Sequence, residues 1–273
     1  MSHLNLFGLQ IEITCTDEEA CKLIIANYSA FVISSSISAA PDMAYQISRD
    51  AAGYCLQRIE AKSTHQWKDL DAAELIFMLE KDLTIEAQKR RPHLYFMHAA
   101  ALMYQDSAFL LIGRSGNGKS TTCWGLLHHG CGYLSDELAP IDLQQYRVQP
   151  YPHALCLKSE PLPPYALPRD VLRTHPTLHV PVEQLPGSVV HTPTPIRAIF
   201  HVQHLGVDHA PTLTAISAAE AGMLIYANAL NPLSHAQDGL DAALDIARHC
   251  QSYRITTGTL DASVAAILGV LNH

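Results

Sequence analysis

The feature that most constrains the fold is the run GRSGNGKS at residues 113–120. It fits the pattern G-x-x-x-x-G-K-[ST] at every fixed position, and this pattern is typical of a loop between a buried strand and a helix. The apolar residues 109–112 precede the run, and residues 120–127 after it have the composition of a helix. The sequence therefore predicts a strand, a phosphate loop (P-loop, or Walker A motif) and a helix in succession, which indicates an α/β domain.

The residue types in this loop match the chemistry of a bound nucleoside triphosphate. Glycines allow the backbone to turn its N–H groups inward, and these groups and the following helix N-terminus bind phosphate oxygens. Lys119 would place its charge on the terminal phosphates, and the Ser120 hydroxyl suits Mg²⁺, which prefers hard oxygen ligands. We therefore expect ATP and Mg²⁺ as cofactors. The predicted nucleotide-binding residues are Gly113, Arg114, Ser115, Gly116, Asn117, Gly118, Lys119, Ser120 and Thr121.

Two acidic residues follow the loop closely. The helix after the loop is expected to end at Gly130, and the next strand, at 131–134, leads to Asp136 and Glu137. A strand end this soon after the loop can return a carboxylate to the phosphates, where it would anchor Mg²⁺ or accept a hydroxyl proton. His98 lies in an apolar strand before the loop, where a histidine is more often part of the core than of a site.

The remainder of the chain reads as short elements on either side of the loop. Residues 1–70 are expected to form a small α+β lobe, and residues 71–273 a P-loop domain in which the proline-rich segment 143–195 is an irregular flap. Asp71 and Glu74 form a capping-box pattern. The predicted strands are 9–13, 44–47, 54–59, 94–103, 108–112, 131–134, 197–202 and 253–256, and the predicted helices begin at 17, 71, 120, 217, 237 and 261.

Composition narrows the class of protein. Hydrophobic residues make up 48% of the 273 and charged residues 16%, so the chain can bury a sizeable core. A net charge of -8 argues against a whole-chain electrostatic grip on nucleic acid or an anionic membrane. The sequence shows no signal-peptide pattern and no apolar run of transmembrane length, which predicts a cytoplasmic protein.

The cysteines point to free thiols. There are seven, an odd number, and no pair has the C-x-x-C spacing, which argues against a disulfide framework and a zinc ribbon. His128 and His129 lie near Cys123 and Cys131 in the sequence. Neighbouring residues on a helix point in different directions, so we do not expect these four to bind zinc.

The segments 98–101, 113–120 and 133–137 together resemble the HPr kinase/phosphorylase superfamily. They are most similar to its HPr-kinase-related branch, which includes kinases that phosphorylate lasso precursor peptides. The likeness spans about residues 92–271. Further similar segments are 150–153, 155–160, 196–200, 253–255 and 258–261.

This resemblance implies a fold of the HPr kinase/phosphoenolpyruvate carboxykinase type, with ATP, Mg²⁺ and phosphoryl transfer to a serine hydroxyl. By position, Asp136 matches the family's first acidic residue, the base toward the serine hydroxyl. Glu137 stands where the family usually has a second Asp, and it would hold Mg²⁺ with Ser120. His98 matches the family's strand histidine and joins the predicted catalytic residues Asp136, Lys119 and Glu137.

Three more residues are candidates for contacts with phosphate or acceptor. Lys158 and Glu160 match polar positions of the family's downstream loop. Arg197 would neutralise the transferring phosphate, and the alternative for it is a surface charge at a strand edge. We find no signature segment for reverse phosphorolysis, so HPr itself is not the expected acceptor.

Three functions remain open at this point. The first is a kinase for a serine of a peptide or small protein, with segment 143–195 clamping an extended chain. The second is a kinase for free serine or another small alcohol. The third is a nucleotide-sensing module, against which the acidic pair argues because a sensor needs no base. Relatives in the superfamily often assemble, so a homo-oligomer is one expectation for the quaternary structure.

Overall fold

A computed structural model of the chain describes residues 2–33, 40–60, 63–169, 171–206 and 209–272. The chain divides into two compact units. The first comprises Met1–Arg91, Cys156–Glu160 and Leu167–Gln184, and the second comprises Pro92–Leu155, Pro161–Ala166 and Leu185–His273. This division differs from the boundary expected at residue 70.

The first unit is built on a five-stranded sheet. Its elements are β1 (Ser2–Leu6), β2 (Leu9–Cys15), α1 (Glu18–Tyr28), a short 3-10 turn (Ser29–Phe31), β3 (Met43–Arg49), β4 (Tyr54–Ile59), β5 (Thr64–Leu70) and α2 (Ala72–Arg90). The strands lie in chain order, with β2 and β3 parallel and the other pairs antiparallel. Alternate residues of β2, β3 and β4 are buried, which is why three strands were predictable from the sequence.

Helix α2 belongs to this first unit because it packs on the sheet. Its buried stripe includes Leu75, Leu79 and Leu83. The Arg58 guanidinium on β4 donates to the Asp82 carboxylate on α2 at 2.8 Å. The helix begins with the predicted capping box, formed by the side chains of Asp71 and Glu74. These contacts move the boundary from residue 70 to Arg91.

The remaining elements lie in the second unit and in the segments of chain that interrupt it. The central strands begin as a hairpin whose turn residues, Gln105 and Asp106, both have positive φ, as a two-residue turn requires. The elements are β6 (Leu94–Tyr104), β7 (Ser107–Ile112), α3 (Lys119–His128), β8 (Gly132–Ser135), β9 (Leu138–Asp142), β10 (Arg147–Val148), β11 (Leu155–Leu157), β12 (Leu172–Thr174), β13 (Thr177–Val180), β14 (Thr194–His204), β15 (Thr212–Ala215), α4 (Ala218–Ala227), α5 (Leu240–His249), β16 (Gln251–Thr257) and α6 (Leu260–Leu271), with 3-10 turns at Val182–Gln184, Pro232–Ser234 and Ala236–Gly239.

An eight-stranded sheet forms the centre of the second unit. Its order is β10-β9-β6-β7-β14-β16-β15, with β8 also paired to β6. Strands β7, β14 and β16 are parallel, so their carboxyl ends meet at one edge of the sheet. Ligands of open α/β sheets commonly bind outside such an edge.

Helices pack on this sheet and bury its apolar residues. One core cluster combines alternate residues of the central strands, such as Met97, Leu110 and Ile199, with Ile225 of α4 and Ile246 of α5. Helix α3 contacts β6 and β7, and α6 contacts β15 and β16. The sheet is therefore a fixed platform for the segments that leave its edge.

The segment 143–195 is more regular than the sequence predicts. It contains the strands β10 to β13 and a 3-10 turn, and β11, β13 and β12 form a small sheet. Parts of it belong to each unit, so it is not one irregular flap. The strands are only two to four residues long, and strands this short show no readable periodicity. Within the described part of the chain, no helix is both long and apolar enough to span a membrane.

Candidate functional site

The phosphate loop lies where the sequence predicts it. Strand β7 ends at Ile112, the loop follows, and α3 begins at Lys119. Gly118 is the N-cap of α3, and its carbonyl accepts the first helical hydrogen bond, from the N–H of Thr122 at 2.8 Å. The N-terminus of α3 therefore points its unpaired N–H groups toward the loop, as anion binding requires.

The three glycines of the loop are needed for two different reasons. Gly116 and Gly118 have φ of +87° and +83°, which other residues rarely adopt, although space around both is open. Gly113 has φ of +143°, and a Cβ there would lie 2.6 Å from the Val202 carbonyl oxygen. The close approach of β14 thus requires the first glycine, and the backbone turn requires the other two.

Lys119 is buried, and its ammonium bonds to the first residue of the loop. The residue is 7% exposed, and its Nζ donates to the Gly113 carbonyl oxygen at 2.8 Å. An ammonium has three donors and can form several hydrogen bonds at once. The other predicted binding residues differ in exposure: Arg114, Ser115 and Gly116 are exposed, while Asn117, Gly118, Ser120 and Thr121 are half-buried.

The acidic pair lies in a break between two strands that both pair with β6. Ser135 at the end of β8 is opposite Ala101, and Leu138 at the start of β9 is opposite His98. Asp136 and Glu137 lie between them. The acids therefore lie beside the stretch of β6 between His98 and Ala101.

This register brings the acids near the phosphate loop. Ala99 of β6 pairs on its other edge with Ile112, the last strand residue before the loop. The turn of the acids and the strand that leads into the loop therefore lie on the two sides of β6.

The turn that carries the acids is held by Ser135. Its buried hydroxyl accepts the Leu138 N–H at 3.1 Å across Asp136 and Glu137. Asp136 itself is 2% exposed. Burial, and secondarily the charge of Asp136, raise the pKa of the Cys123 thiol on α3 well above its usual value. Asp136 therefore lies within electrostatic reach of the phosphate-loop helix.

His98 and Glu137 lie side by side. The His98 Nδ1 and Glu137 Oε2 atoms are 3.4 Å apart, and each side chain is about one third exposed (34% and 35%). The His98 backbone is fixed on both edges of β6, because its N–H donates to the Asn228 carbonyl at 2.9 Å and its other neighbour is Leu138. His98, Asp136, Glu137 and Lys119 are thus carried by adjoining strands and the helix after β7.

Asn231 completes the support of β6. Its side chain accepts the Phe96 N–H and donates to the Leu94 carbonyl, both at 2.9 Å, as a neighbouring strand would. Asn231 is 6% exposed, so these bonds are shielded from water. The sequence analysis identified neither Asn228 nor Asn231, which lie far along the chain from β6. The turn-type residues of the run 228–232 were the feature of the sequence that could have drawn attention to these two asparagines.

Arg197 does not lie beside the loop. It follows Ile196, which pairs with Ala108 at the start of β7, whereas the loop follows Ile112 at the other end. The Arg197 Nη1 atom donates to the Leu271 carbonyl at 3.0 Å. The position of Arg197 along β14 lies toward the end of β7 away from the loop, where Arg197 caps α6, and this position does not favour the predicted role in neutralising phosphate.

Lys158 and Glu160 belong to the first unit, whereas the phosphate loop belongs to the second. Both are exposed. Glu160 accepts from Arg173 at 2.5 Å in a surface ion pair of the first unit. Their proposed contacts with phosphate or acceptor stay predictions.

No cluster of three His, Cys, Asp or Glu side chains within the described ranges is arranged to hold a metal ion by itself. Mg²⁺ does not need such a cluster, because it keeps several waters and takes substrate phosphates as ligands. The Ser120 hydroxyl and the partly exposed Glu137 carboxylate supply the hard oxygen donors that the ion prefers. The donor set therefore fits Mg²⁺ bound together with a nucleotide.

Comparison with known proteins finds a likeness among solved structures. No protein-family model matches the chain, and no curated protein matches it. Among solved structures, the HPr(Ser) kinase/phosphatase from Coxiella burnetii is similar, with 12% identity, 65% of this chain and 95% of that chain covered, and a TM-score of 0.33. A TM-score of this size does not by itself establish a common fold.

Proposed function

We propose that this protein is an ATP-dependent kinase that transfers a phosphoryl group to a serine hydroxyl of a peptide or small protein. The observation that carries the proposal is the pairing of β6 with β7 on one edge and with β8 and β9 on the other. Strand β6, which carries His98, adjoins both the strand that leads into the loop and the turn of Asp136 and Glu137, and this arrangement supports the proposal. The sequence resemblance to HPr-kinase-related proteins supports the same reading.

In this proposal the loop binds the nucleotide. Backbone N–H groups within residues 114–119 and the Lys119 ammonium hold the β- and γ-phosphates. Ser120 and Glu137 hold Mg²⁺, which neutralises charge on the phosphates when it is bound. Most of the rate enhancement then comes from positioning and from fixed charges, as is usual for phosphoryl transfer.

Asp136 is the proposed base. Its carboxylate accepts the proton of the serine hydroxyl while the serine oxygen forms a bond to the γ-phosphorus. The bond between the γ-phosphorus and the bridging oxygen breaks, and ADP leaves with that electron pair. Asp136 suits this role because it is buried and within electrostatic reach of α3.

The acceptor class rests on the resemblance. A ribosomally made precursor peptide is the first acceptor to test, since the similar branch includes kinases of lasso precursors. A kinase for free serine or another small alcohol is the alternative, and a nucleotide sensor without transfer is the third reading. The buried base argues for transfer over sensing.

The deciding experiment is a mass-shift assay with Mg-ATP. A pool of serine-containing peptides and free serine are offered in parallel to the wild-type protein and to Asp136→Asn. We expect one added phosphate on a peptide serine with the wild-type protein and none with the variant. Label on free serine alone would instead establish a metabolite kinase.

A control variant makes the result specific. Asp106→Asn changes an exposed carboxylate in the β6–β7 turn and should leave transfer intact. If wild-type protein binds Mg-ATP yet transfers phosphate to neither class of acceptor, the kinase proposal gives way to the sensor reading.

A further inference from the structure

We infer that Asn117 is a positioning residue of the phosphate loop, which ties the loop to β14 and holds its backbone N–H groups in their phosphate-binding arrangement. This inference rests on the proposed nucleotide binding and deepens it. The loop pattern accepts any residue type at this position, so the pattern alone gives Asn117 no role.

The contact joins the loop to the neighbouring strand. The Asn117 Nδ2 atom donates to the Val202 carbonyl oxygen at 3.1 Å. Val202 is fully buried and lies one residue beyond His201, the last β14 residue paired with β7, opposite Ile112. Strand β7 has ended at this point, so its backbone no longer donates to β14. The Asn117 amide supplies a donor there instead.

Two residues of the loop approach the same Val202 carbonyl oxygen. A Cβ atom on Gly113 would lie only 2.6 Å from this Val202 oxygen. The first and fifth residues of the loop thus converge on one buried atom of β14. A shift of the loop away from this atom would break the amide bond, and a shift toward it is blocked by the backbone of Gly113.

Asn117 stands between the two residues that make the loop most flexible. Gly116 and Gly118 both adopt positive φ, and glycine has more conformational freedom to lose than any other residue. The backbone N–H of Asn117 donates to the Arg114 carbonyl at 3.2 Å, so backbone and side chain both bond within the protein. This arrangement restrains the loop before any nucleotide binds.

A second hydrogen bond across the loop joins the Lys119 ammonium to the Gly113 carbonyl. Unlike the Asn117 amide, this ammonium is also expected to act on the phosphates. Asn117 has no such second task in the proposed mechanism. Its bond to Val202 can persist unchanged through binding and transfer.

The test uses two substitutions and a matched control in the full-length protein. Asn117→Ala removes the amide, and Asn117→Leu removes it while keeping the branched shape. Gln203→Ala removes an exposed amide from the adjoining residue of β14. The measurements are the dissociation constant for Mg-ATP by calorimetry at 10 °C, the unfolding temperature, and hydrogen exchange of residues 113–119 in the free protein.

We expect both Asn117 variants to bind Mg-ATP about tenfold more weakly, as loss of one well-formed hydrogen bond implies. Exchange of the loop amides should accelerate in both, while Gln203→Ala resembles wild type. Wild-type affinity and exchange in both variants would overturn the inference. A lower unfolding temperature with unchanged loop exchange would also overturn it, because Asn117 would then serve stability alone.

The two proposals fail separately. If the wild-type protein does not bind Mg-ATP, the proposed function is wrong, and loop exchange in the free protein still decides whether Asn117 positions the loop. Faster exchange in the Asn117 variants supports the positioning role under that outcome, and unchanged exchange rejects it.

Discussion

The Nδ1 atom of His98 lies 3.4 Å from the Oε2 atom of Glu137, and this contact joins β6 to the turn that carries the acids. Both side chains are about one third exposed. An ion pair with this exposure contributes at most about 1 kcal/mol to stability. The main effect of the contact is therefore to position the Glu137 carboxylate.

Glu137→Gln should change the metal requirement of transfer. The amide keeps the shape of the side chain but loses the charge that the proposed Mg²⁺ site needs. We expect the Mg²⁺ concentration for half-maximal transfer to rise about tenfold, a loss of about 1.4 kcal/mol. Titration of MgCl₂ at saturating ATP measures it, with exposed Glu74→Gln tested in parallel. An unchanged titration would remove Glu137 from the metal site.

Lys119→Ala should abolish transfer. The buried ammonium is the only cation that the phosphate-loop pattern fixes on the terminal phosphates, and removal of one such electrostatic group typically costs about 100-fold or more in rate. Steady-state phosphorylation and Mg-ATP calorimetry measure the loss. Lys68→Ala, which alters an exposed lysine on β5, is the control. Transfer within a few-fold of wild type in Lys119→Ala would contradict the loop assignment.

Asp136→Asn should separate binding from chemistry. The carboxylate is not a proposed nucleotide ligand, so the Mg-ATP dissociation constant should change by no more than about twofold. Transfer should fall by about 10² to 10⁴, the usual contribution of a general base. Rapid-quench measurements on one acceptor peptide test this. Full turnover with the variant would mean that another group takes the proton.

His153→Gln should make the protein less sensitive to acid. Burial lowers the pKa of His153 to about 4, while an unfolded chain binds this proton near its usual value of about 6.5. The contribution of His153 is therefore fully present above pH 6.5 and is lost as the pH falls toward 4. Between pH 7 and pH 5 the wild-type protein should lose about 2 kcal/mol through this group.

Urea unfolding at several pH values measures this loss. The variant should show a correspondingly shallower decrease, whatever its stability at pH 7. Exposed His65→Gln should retain the wild-type slope. Equal slopes for wild type and His153→Gln would show that His153 takes up its proton at the same pH in the folded and unfolded chain.

Asn231→Ala should destabilise the second unit without touching a proposed catalytic group. It removes a buried side chain that accepts from Phe96 and donates to Leu94, and leaves two backbone groups without those partners. Each such loss costs about 1–3 kcal/mol, so we expect about 2–6 kcal/mol in total. Urea unfolding measures it against Asn272→Ala, an exposed asparagine. A change below about 0.5 kcal/mol would show that the bonds are not needed.

The sequence was most informative where structure is local. The strand–loop–helix at 109–127 and the capping box at Asp71 depend on residues a few positions apart, and both are in the structure. Strands β1 and β5 were missed. In β5 nearly every residue is exposed, so the alternation that reveals a half-buried strand is absent.

The parts of the site that depend on strand register were beyond local reasoning. The acids approach the loop because β8 and β9 both pair with β6, and Asn231 reaches β6 across 135 residues of sequence. The position of Arg197 relative to the loop depends on register in the same way. Its strand was predicted, but its distance along the strand from the phosphate loop follows only from the pairing with β7.

The division of the chain into two units has a practical consequence for dissecting the protein. The described chain passes from one unit to the other at 91/92, 155/156, 160/161, 166/167 and 184/185. No single truncation can therefore separate the units, because residues 92–273 retain two segments of the first unit and residues 1–184 retain two segments of the second. Assignments of activity to one unit must come from substitutions in the intact polypeptide, not from expressing its fragments.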